Sequence, residues 1–172
     1  MSVDKVGLFY GSSTCYTEMT AEKIQQAWGD KITLHNVGED SVQLMEDYQF
    51  LIVGIPTWDY GELQEDWENV WDELSELDLS HCRIACFGQG DQIGYPQWYQ
   101  DALGYLHDKL TLAGATMFGY TATSGHTFEE SQGLTDDGTQ FLGLALDDEN
   151  QFELSEARLA SWLQQLDTEF NG

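Results

Sequence analysis

Residues Leu8–Ile24, with the sequence LFYGSSTCYTEMTAEKI, decide the fold of this 172-residue chain. An apolar run over Val6–Tyr10 predicts a strand, and a loop of small and hydroxyl-bearing residues then leads directly into a helical pattern. A helix that begins right after a strand directs backbone N–H groups and the positive end of its dipole at one point. The stretch therefore predicts an α/β unit whose first loop binds an anion.

The loop within this stretch carries hydroxyl donors and no basic side chain. Four hydroxyls fall within six residues, those of Ser12, Ser13, Thr14 and Thr17. The lysine that nucleotide triphosphatases place in a Gly-Lys-Ser/Thr loop is absent, because no Lys or Arg lies between Lys5 and Lys23. An ordinary helix N-cap would need a single hydroxyl. The excess favours a phosphate site made of neutral donors, with a plain N-cap as the alternative.

Short apolar runs alternate with helical patterns along the rest of the chain. Strands are predicted at Val6–Tyr10, Ile32–His35, Phe50–Gly54, Ile84–Gly88 and Thr116–Tyr120, and Phe141–Leu146 continues or extends the fifth. Helices are predicted at Thr17–Trp28, Ser41–Asp47, Gln64–Leu74, Gln97–Ala113 and Ser155–Phe170, with Ser41 and Ser155 as N-caps. This alternation predicts a parallel sheet with helices on both faces, in which ligands bind beyond the carboxyl ends of the strands.

A long polar segment, residues 121–140, interrupts the alternation. Loops longer than about 12–15 residues in compact domains are usually functional or mobile. The sequence shows no repeat, low-complexity tract or linker, so we expect one domain over residues 1–172 that carries a single insertion.

The charge balance excludes some partners and favours others. Thirty-one acidic residues face six basic ones, for a formal net charge of -25. Such a surface repels nucleic acid and anionic membranes and attracts basic proteins. The alternative is that the acidity serves only solubility or reflects a salty habitat. No stretch approaches the ~20 apolar residues of a membrane span, and no apolar signal region follows the first residues, so we expect a cytoplasmic protein.

The cysteines and histidines lack the pattern of a catalytic or metal site. Cys15, Cys82 and Cys86 are an odd number without metal spacing, and the last two belong to or adjoin an apolar run that predicts buried thiols. The four histidines are scattered along the chain. We therefore expect no metal and no catalytic residues.

Two further loops belong to the same edge of the predicted sheet as the first loop. Ile55–Glu62 follows the third strand and Gln89–Pro96 follows the fourth, and each places a large aromatic side chain beside glycine. Trp58 and Tyr95 could stack on a flat ligand ring, and each such ring pair contributes about 0.5–1.5 kcal/mol of binding energy beyond area burial. The alternative is that each aromatic side chain packs only on its own domain. A phosphate site with two ring walls indicates a nucleotide. The lack of basic residues favours the monophosphate of an aromatic tricycle over ATP or NAD.

With these motifs the chain resembles the flavodoxins over essentially its whole length. The N-terminal pattern is matched by Leu8, Phe9, Tyr10, Ser12, Cys15, Thr17, Ala21 and Ile24. Gly54–Trp58 and Gly88–Gln92 resemble the two ring-binding loops, and residues 121–140 resemble the loop that splits the fifth strand in long-chain members. The loop over residues 12–17 is most similar to that of the second flavodoxin type (flavodoxin B) of gamma-proteobacteria, although many long-chain members carry Gly-Asn where this chain has Cys15 and Tyr16.

The resemblance implies both a fold and a function. The fold is a flavodoxin-like, doubly wound, five-stranded parallel sheet in the order 2-1-3-4-5, with helices on both faces and the fifth strand split. The function is low-potential, one-electron transfer on a non-covalently bound FMN, without substrate turnover. The implied partners are a reductase of the ferredoxin/flavodoxin–NADP type and acceptor enzymes with basic surfaces, which a monomer would serve. An FMN-dependent NAD(P)H:quinone oxidoreductase on the same fold is the alternative.

The resemblance also implies which residues bind the cofactor. Those expected around the phosphate are Ser12, Ser13, Thr14, Cys15, Tyr16 and Thr17. Trp58 and Tyr95 would cover the two ring faces, and the peptide between Asp59 and Tyr60, with Gly61 as its hinge, would face flavin N5. Gly90, Asp91 and Gln92 would line the pyrimidine edge. The remaining expected contacts are Pro56, Thr57, Gly88, Gln89 and Gln97.

Overall fold

A computed structural model describes residues 5–11 and 16–171 of the chain. Its strands are β1 (Val6–Tyr10), β2 (Ile32–Asn36), β3 (Phe50–Trp58), β4 (Glu62–Leu63), β5 (Arg83–Gln89), β6 (Thr116–Phe118), β7 (Thr121–Ala122), β8 (Gln140–Phe141) and β9 (Leu144–Leu146). Its α-helices are α1 (Tyr16–Trp28), α2 (Glu65–Leu74), α3 (Asp101–Leu112) and α4 (Asp148–Asn171), and short 3-10 helices span Gly29–Lys31 and Val42–Asp47.

The main sheet has the predicted strand order. β2, β1, β3, β5 and β6 lie side by side in that order, and all of these pairs are parallel. β6 pairs with the first half of β5, whereas β9 pairs with its second half, from Phe87 to Gln89. The fifth strand is therefore split into β6 and β9, and the predicted five-stranded order is confirmed.

Alternate residues of the central strands face two separate cores. Phe9, Leu51 and Val53 belong to one cluster, which includes Trp67 of α2 and Leu106 of α3. The residues next to them point the other way, into a cluster made of Leu8, Ile52 and Phe87 with Ile24 of α1 and Trp162 of α4. This two-residue period is the pattern of a sheet covered on both faces. The aromatic and aliphatic stripes on the helices are core faces, as predicted.

Two helix starts differ from the prediction by more than one residue. α3 begins at Asp101 instead of Gln97, because Gln100 adopts a left-handed conformation with φ of 61° that a helix cannot continue through. α4 begins at Asp148, with a short first segment that ends at a kink at Gln151, whose φ of -131° and ψ of 38° are not helical. The N–H of Asn150 donates to Oδ1 of Asp147 at 3.1 Å. Asp147 is thus the N-cap. The prediction of Ser155 as the cap is wrong, since its hydroxyl lies inside the helix and donates to Asp148.

The other differences concern strand length and helix type. β6 ends at Phe118 rather than at Tyr120, because Gly119 turns the chain with a φ of 80° and donates its N–H to Glu169. The predicted helix at 41–47 is a 3-10 helix, although Ser41 caps it as expected and accepts from the N–H of Gln43 at 3.2 Å. Within Phe141–Leu146, only Leu144–Leu146 joins the main sheet, since β8 pairs antiparallel with β7 instead.

Five of the six basic side chains lie on aromatic rings rather than on carboxylates. Within the described ranges, no Lys or Arg forms an ion pair with Asp or Glu. Arg83 lies 4.5 Å from the centroid of Phe118 and also caps the C-terminus of α4, donating to the carbonyl oxygens of Glu169 and Phe170. The other cations on rings are Lys5, Lys23, Lys31 and Lys109. No helix in the described parts of the chain is long and apolar enough to cross a membrane.

The 121–140 insertion packs on the loop before α3 through an aromatic cluster. The ring of Tyr99 contacts those of Phe128 and Phe141 at centroid distances of 5.5 and 5.7 Å. The Tyr99 hydroxyl lies 2.9 Å from Nδ1 of His126. Burial, together with the charge of Arg158, lowers the pKa of His126 to about 4.

This lowered pKa predicts a loss of stability in acid. The unfolded chain protonates His126 below its ordinary pKa of about 6.5, whereas the folded protein keeps the ring neutral. The stabilisation is therefore complete above about pH 6.5 and is lost as the pH falls towards 4. We expect the stability difference between wild type and His126→Gln to shrink by about 1–2 kcal/mol between pH 7 and pH 4.5, after allowing for partial exposure.

Urea unfolding of both proteins at the two pH values measures this difference. Glutamine is a suitable replacement because its side-chain oxygen still accepts from the Tyr99 hydroxyl and does not titrate. Taking the difference removes the common effect of protonating many carboxylates. Parallel pH profiles for the two proteins would contradict the prediction.

Candidate functional site

A cleft of about 180 Å³ opens at the carboxyl ends of the parallel strands. One side is formed by the end of β3 and the turn after it, and the other by the end of β5 and the loop that follows. The first turns of α1 and α4 complete it. The lining residues are Tyr16, Pro56, Thr57, Trp58, Asp59, Gln89, Gly90, Asp91, Tyr95 and Glu149.

The turn after β3 is a tight hairpin that sequence reasoning treated as a loop. Trp58 pairs with Glu62 across β3 and β4, which leaves Asp59, Tyr60 and Gly61 as a three-residue turn. Asp59 and Gly61 both have positive φ, of 40° and 85°. A Cβ on Gly61 would lie 2.8 Å from Oδ2 of Asp101. Gly61→Ala would therefore strain the fold as well as any hinge, and it cannot test the hinge alone.

Aromatic rings and a hydrogen bond join the two sides of the cleft mouth. Tyr95 packs edge-on against Tyr60 at a centroid distance of 6.0 Å, and Tyr60 packs in the same way against Trp98 at 5.0 Å. The Tyr95 hydroxyl donates to Asp59, and this carboxylate raises the pKa of Tyr95. Among the described residues, Trp58 and Tyr95 make no ring–ring contact, although both line the cleft. The space between them is therefore open to a ligand.

The loop after β5 is held by a chain of carboxylate and amide contacts. Oδ1 of Asp91 accepts from the N–H groups of Ile93 and Gly94, at 3.2 and 2.7 Å, and from Nδ2 of Asn150 at 2.8 Å. Asn150 also donates to Asp147, which is fully buried. Asp147 in turn accepts from the backbone and the side chain of Gln92, at 3.1 and 2.8 Å. These bonds fix the loop before any ligand arrives.

Acidic groups dominate the surroundings of the cleft. Asp59, Asp91 and Glu149 line it, and the buried Asp147 and Asp148 lie next to the loop after β5. Asp148 accepts from Nε2 of Gln89 at 3.0 Å. No Lys or Arg is among the lining residues, so the field in the cleft disfavours further negative charge.

The first loop is described only at its helical end. The predicted ligands Ser12, Ser13, Thr14 and Cys15 lie outside the described residues. Tyr16 lines the cleft, and its hydroxyl donates to Glu149, which raises the pKa of Tyr16. Thr17 is fully buried, and its Oγ1 has no hydrogen-bond partner among the described residues. A buried hydroxyl without a partner costs about 1–3 kcal/mol, so this atom indicates a place for a polar ligand.

The structure brings most of the predicted contact residues together, but not all. Of the described ones, the residues away from the cleft lining are Thr17, Tyr60, Gly61, Gly88, Gln92 and Gln97. Tyr60 is 65% exposed, and Gly88 is covered by the side chain of Gln100, which a Cβ there would overlap. Glu149 was not predicted to be in the site. The sequence signal for it was the acidic run before the final helix, whose start was placed seven residues too late.

Comparison with known proteins places this geometry in a family. Residues 8–162 match the profile of the family described as Flavodoxin, which is most of the chain. The chain belongs to the flavodoxin family. The prediction made from the three loops is thereby confirmed.

Named flavodoxins cover nearly the whole chain. Flavodoxin 2 of Escherichia coli (strain K12) is 54% identical over 162 residues, which is 94% of this chain and 94% of that protein. A flavodoxin of Nostoc sp. (strain PCC 7120) is 46% identical over 167 residues, 96% of this chain and 97% of the relative. The flavodoxin of Fusobacterium nucleatum, solved with flavin mononucleotide bound, superposes with a TM-score of 0.90 at 29% identity and covers 98% of this chain and 99% of its own. The expected likeness to the second flavodoxin type is confirmed.

Proposed function

We propose that this flavodoxin carries single electrons at low potential on a non-covalently bound FMN, and that it turns over no substrate of its own. The observation that supports this most directly is an acidic cleft with Trp58 and Tyr95 on its walls, beside the buried, unpartnered hydroxyl of Thr17. FMN, when bound, supplies two successive one-electron steps. The described residues fit this cofactor, since they offer ring walls and a free polar donor.

The parts of the cleft have separate tasks in this proposal. Thr17 donates to the phosphate, together with the hydroxyls of residues 12–14. Trp58 and Tyr95 enclose the ring system and exclude water from it. The Asp59–Tyr60 peptide faces flavin N5, and the fixed loop at Gly90 and Asp91 orients the opposite edge. The residues in this assignment were expected from the sequence; of these, Trp58, Asp59, Gly90, Asp91 and Tyr95 line the cleft, and Thr17 lies in the first turn of α1.

The acidic surroundings determine in which direction the second one-electron potential of bound FMN shifts. Each nearby carboxylate disfavours the negative charge that the second electron brings. Two unit charges about 8 Å apart interact by about 0.5 kcal/mol in water and about 2 kcal/mol at an effective dielectric of 20. For a one-electron couple, ~1.4 kcal/mol corresponds to 59 mV. Several carboxylates around the cleft therefore lower the second potential well below that of free FMN.

Asp59 offers a test of this effect at a single residue. We expect Asp59→Asn to raise the second one-electron potential by about 20–90 mV, because one negative charge leaves the cleft wall. Asparagine tolerates the positive φ at this position and still accepts from the Tyr95 hydroxyl, so the turn is kept. A redox titration of both proteins at equal pH measures the shift. An unchanged second potential would show that Asp59 does not tune the cofactor.

The proposed function itself is tested by stepwise reduction under anaerobic conditions. Purified protein reconstituted with FMN should show a flavin spectrum and two separate one-electron steps during reductive titration. It should consume no NADPH with a quinone unless a reductase is added. Failure to take up FMN would overturn the carrier proposal. Rapid NADPH oxidation by the protein alone would favour a quinone oxidoreductase, which would need space for a nicotinamide over a ring that Trp58 and Tyr95 are proposed to cover.

The negative charge of this flavodoxin indicates which kind of partner it binds. We expect a reductase of the ferredoxin/flavodoxin–NADP type and acceptor enzymes with basic surfaces to dock on the acidic rim of the cleft, with a monomeric flavodoxin in the cytoplasm. Low salt should accelerate these encounters. Binding to either partner that is indifferent to ionic strength would contradict electrostatic docking.

A further inference from the structure

A second cavity, of about 640 Å³, lies between the 121–140 insertion and α4. It shares no lining residue with the ring cleft. Its accessible apolar lining is formed by Ala122, Ala157 and the ring of Tyr120, whereas Leu144 and Trp162 are almost fully buried. The other lining groups include the hydroxyls of Ser124 and Ser161 and the guanidinium of Arg158. The cavity thus combines an apolar surface with hydrogen-bond donors and one positive charge.

Neither wall of this cavity contributes a carboxylate. The insertion contains four acidic residues and α4 contains six, yet no Asp or Glu is among the lining residues. On α4, Arg158, Ser161 and Gln165 recur at helical spacing on the cavity side. Glu169 does not line the cavity, although its Oε2 accepts from Nε2 of Gln165 at 3.1 Å. In a chain with a net charge of -25, this is a concave surface on which an anionic ligand meets no direct repulsion.

Arg158 is held in place without being neutralised. Its Nη1 donates to Oε1 of Gln151 at 2.8 Å, and its Nη2 donates to the carbonyl oxygen of Gly125 at 3.1 Å. Both acceptors are uncharged, and the guanidinium forms no ion pair with any carboxylate of residues 5–11 or 16–171. A guanidinium has five N–H donors, of which these bonds use two. The others, and the full charge, remain for a ligand.

His126 adds a polar, uncharged ring to the same cavity. Its Nδ1 lies 2.9 Å from the Tyr99 hydroxyl, so Nε2 is the ring nitrogen that Tyr99 does not engage. Because burial and Arg158 lower the pKa of His126, the ring adds no second charge at neutral pH.

We infer that this cavity binds a small carboxylate with an apolar ring or chain. Its oxygens bond to the guanidinium of Arg158, which matches carboxylate geometry, and its apolar body lies against Ala122, Ala157 and the ring of Tyr120. The inference is independent of what occupies the ring cleft.

Benzoate is the probe for this site. It is titrated into the nitrogen-15-labelled full chain at about 150 mM NaCl, where charges beyond about 8 Å are largely screened. We expect saturable shifts of the Trp162 indole N–H and the Gly125 backbone N–H, with a dissociation constant in the millimolar range. Benzamide, which has the same ring without the charge, should bind about ten-fold more weakly, because charge-assisted hydrogen bonds are roughly twice as strong as neutral ones.

Three variants separate the site from general charge effects. Arg158→Gln should weaken the binding of benzoate about ten-fold or more. Ser161→Glu places a carboxylate on the cavity wall without touching the Arg158 bonds, and it should weaken benzoate at least as much. Lys31→Gln removes one positive charge over Trp28, outside this cavity, and should leave binding unchanged. No saturable shift, equal binding of benzamide, or equal losses in all three variants would overturn the inference.

Discussion

Gly143→Ala is expected to lower the free energy of unfolding by about 3 kcal/mol or more, the upper range for overpacking a core. Gly143 lies between β8 and β9, where the second half of the split fifth strand joins β5. A Cβ at this position would overlap the carbonyl oxygen of Cys86 and lie 2.9 Å from its carbonyl carbon. These atoms belong to the central strand, which cannot move aside as a side chain would. Urea unfolding of the two proteins measures the loss.

Gly138→Ala is the matched control for the added methyl group. Gly138 lies in the 121–140 insertion, has a φ of 72° and would have no neighbouring atom within 4 Å of an added Cβ. Gly138→Ala should lower the free energy of unfolding by about 1–2 kcal/mol, because alanine is strained in the left-handed conformation. Equal losses in the two variants would mean that backbone overlap at Gly143 is relieved by a small shift of β9.

Thr17→Val is expected to change cofactor binding and apoprotein stability in opposite directions. Valine keeps the shape of the side chain and removes the unpartnered hydroxyl. Without FMN, the variant should be more stable by about 1–2 kcal/mol, because no buried polar atom is left unsatisfied. With FMN, it should bind about ten-fold to a hundred-fold more weakly, because a hydrogen bond to a charged phosphate is lost. Thermal unfolding of the apoprotein and fluorescence titration with FMN measure the two effects.

Thr20→Val in the same helix is the control for this pair of measurements. The Thr20 hydroxyl is already satisfied, since it donates to the carbonyl oxygen of Tyr16 at 3.0 Å and accepts from Gln89 at 3.1 Å. Its removal should destabilise the apoprotein by about 1 kcal/mol or more. If Thr17→Val also destabilises the apoprotein and leaves FMN affinity unchanged, Thr17 has no part in phosphate binding.

The sheet could be predicted because its strands are buried on both faces. Such strands appear as continuous apolar runs, as in Val6–Tyr10 and Ile84–Gly88, and their order followed from family resemblance. The extension of β3 to Trp58 was missed, because Pro56 and Thr57 have the composition of a loop. The start of α3 was missed for a different reason: the left-handed conformation of Gln100 leaves no signal in residue type.

The residues of the candidate site could be predicted where the residue type alone indicates the role of the side chain. Trp58 and Tyr95 stand out by size, and the topology brings them to one edge. Glu149 was missed because its place at the cleft depends on where α4 begins, and the true cap, Asp147, was passed over for Ser155. The bonds that hold the loop after β5 were also invisible, since they join Asp91 to Asn150 across the fold.

The placement of the cations on aromatic rings gives dissolved salt two opposed roles. Carboxylates that no lysine or arginine neutralises must be balanced by mobile counterions, so added sodium chloride relieves crowding among like charges and should raise the melting temperature. The same ions weaken long-range attraction towards a basic redox partner and should slow their bimolecular reaction. Conditions that preserve the protein best on storage are therefore those under which it finds its partners most slowly.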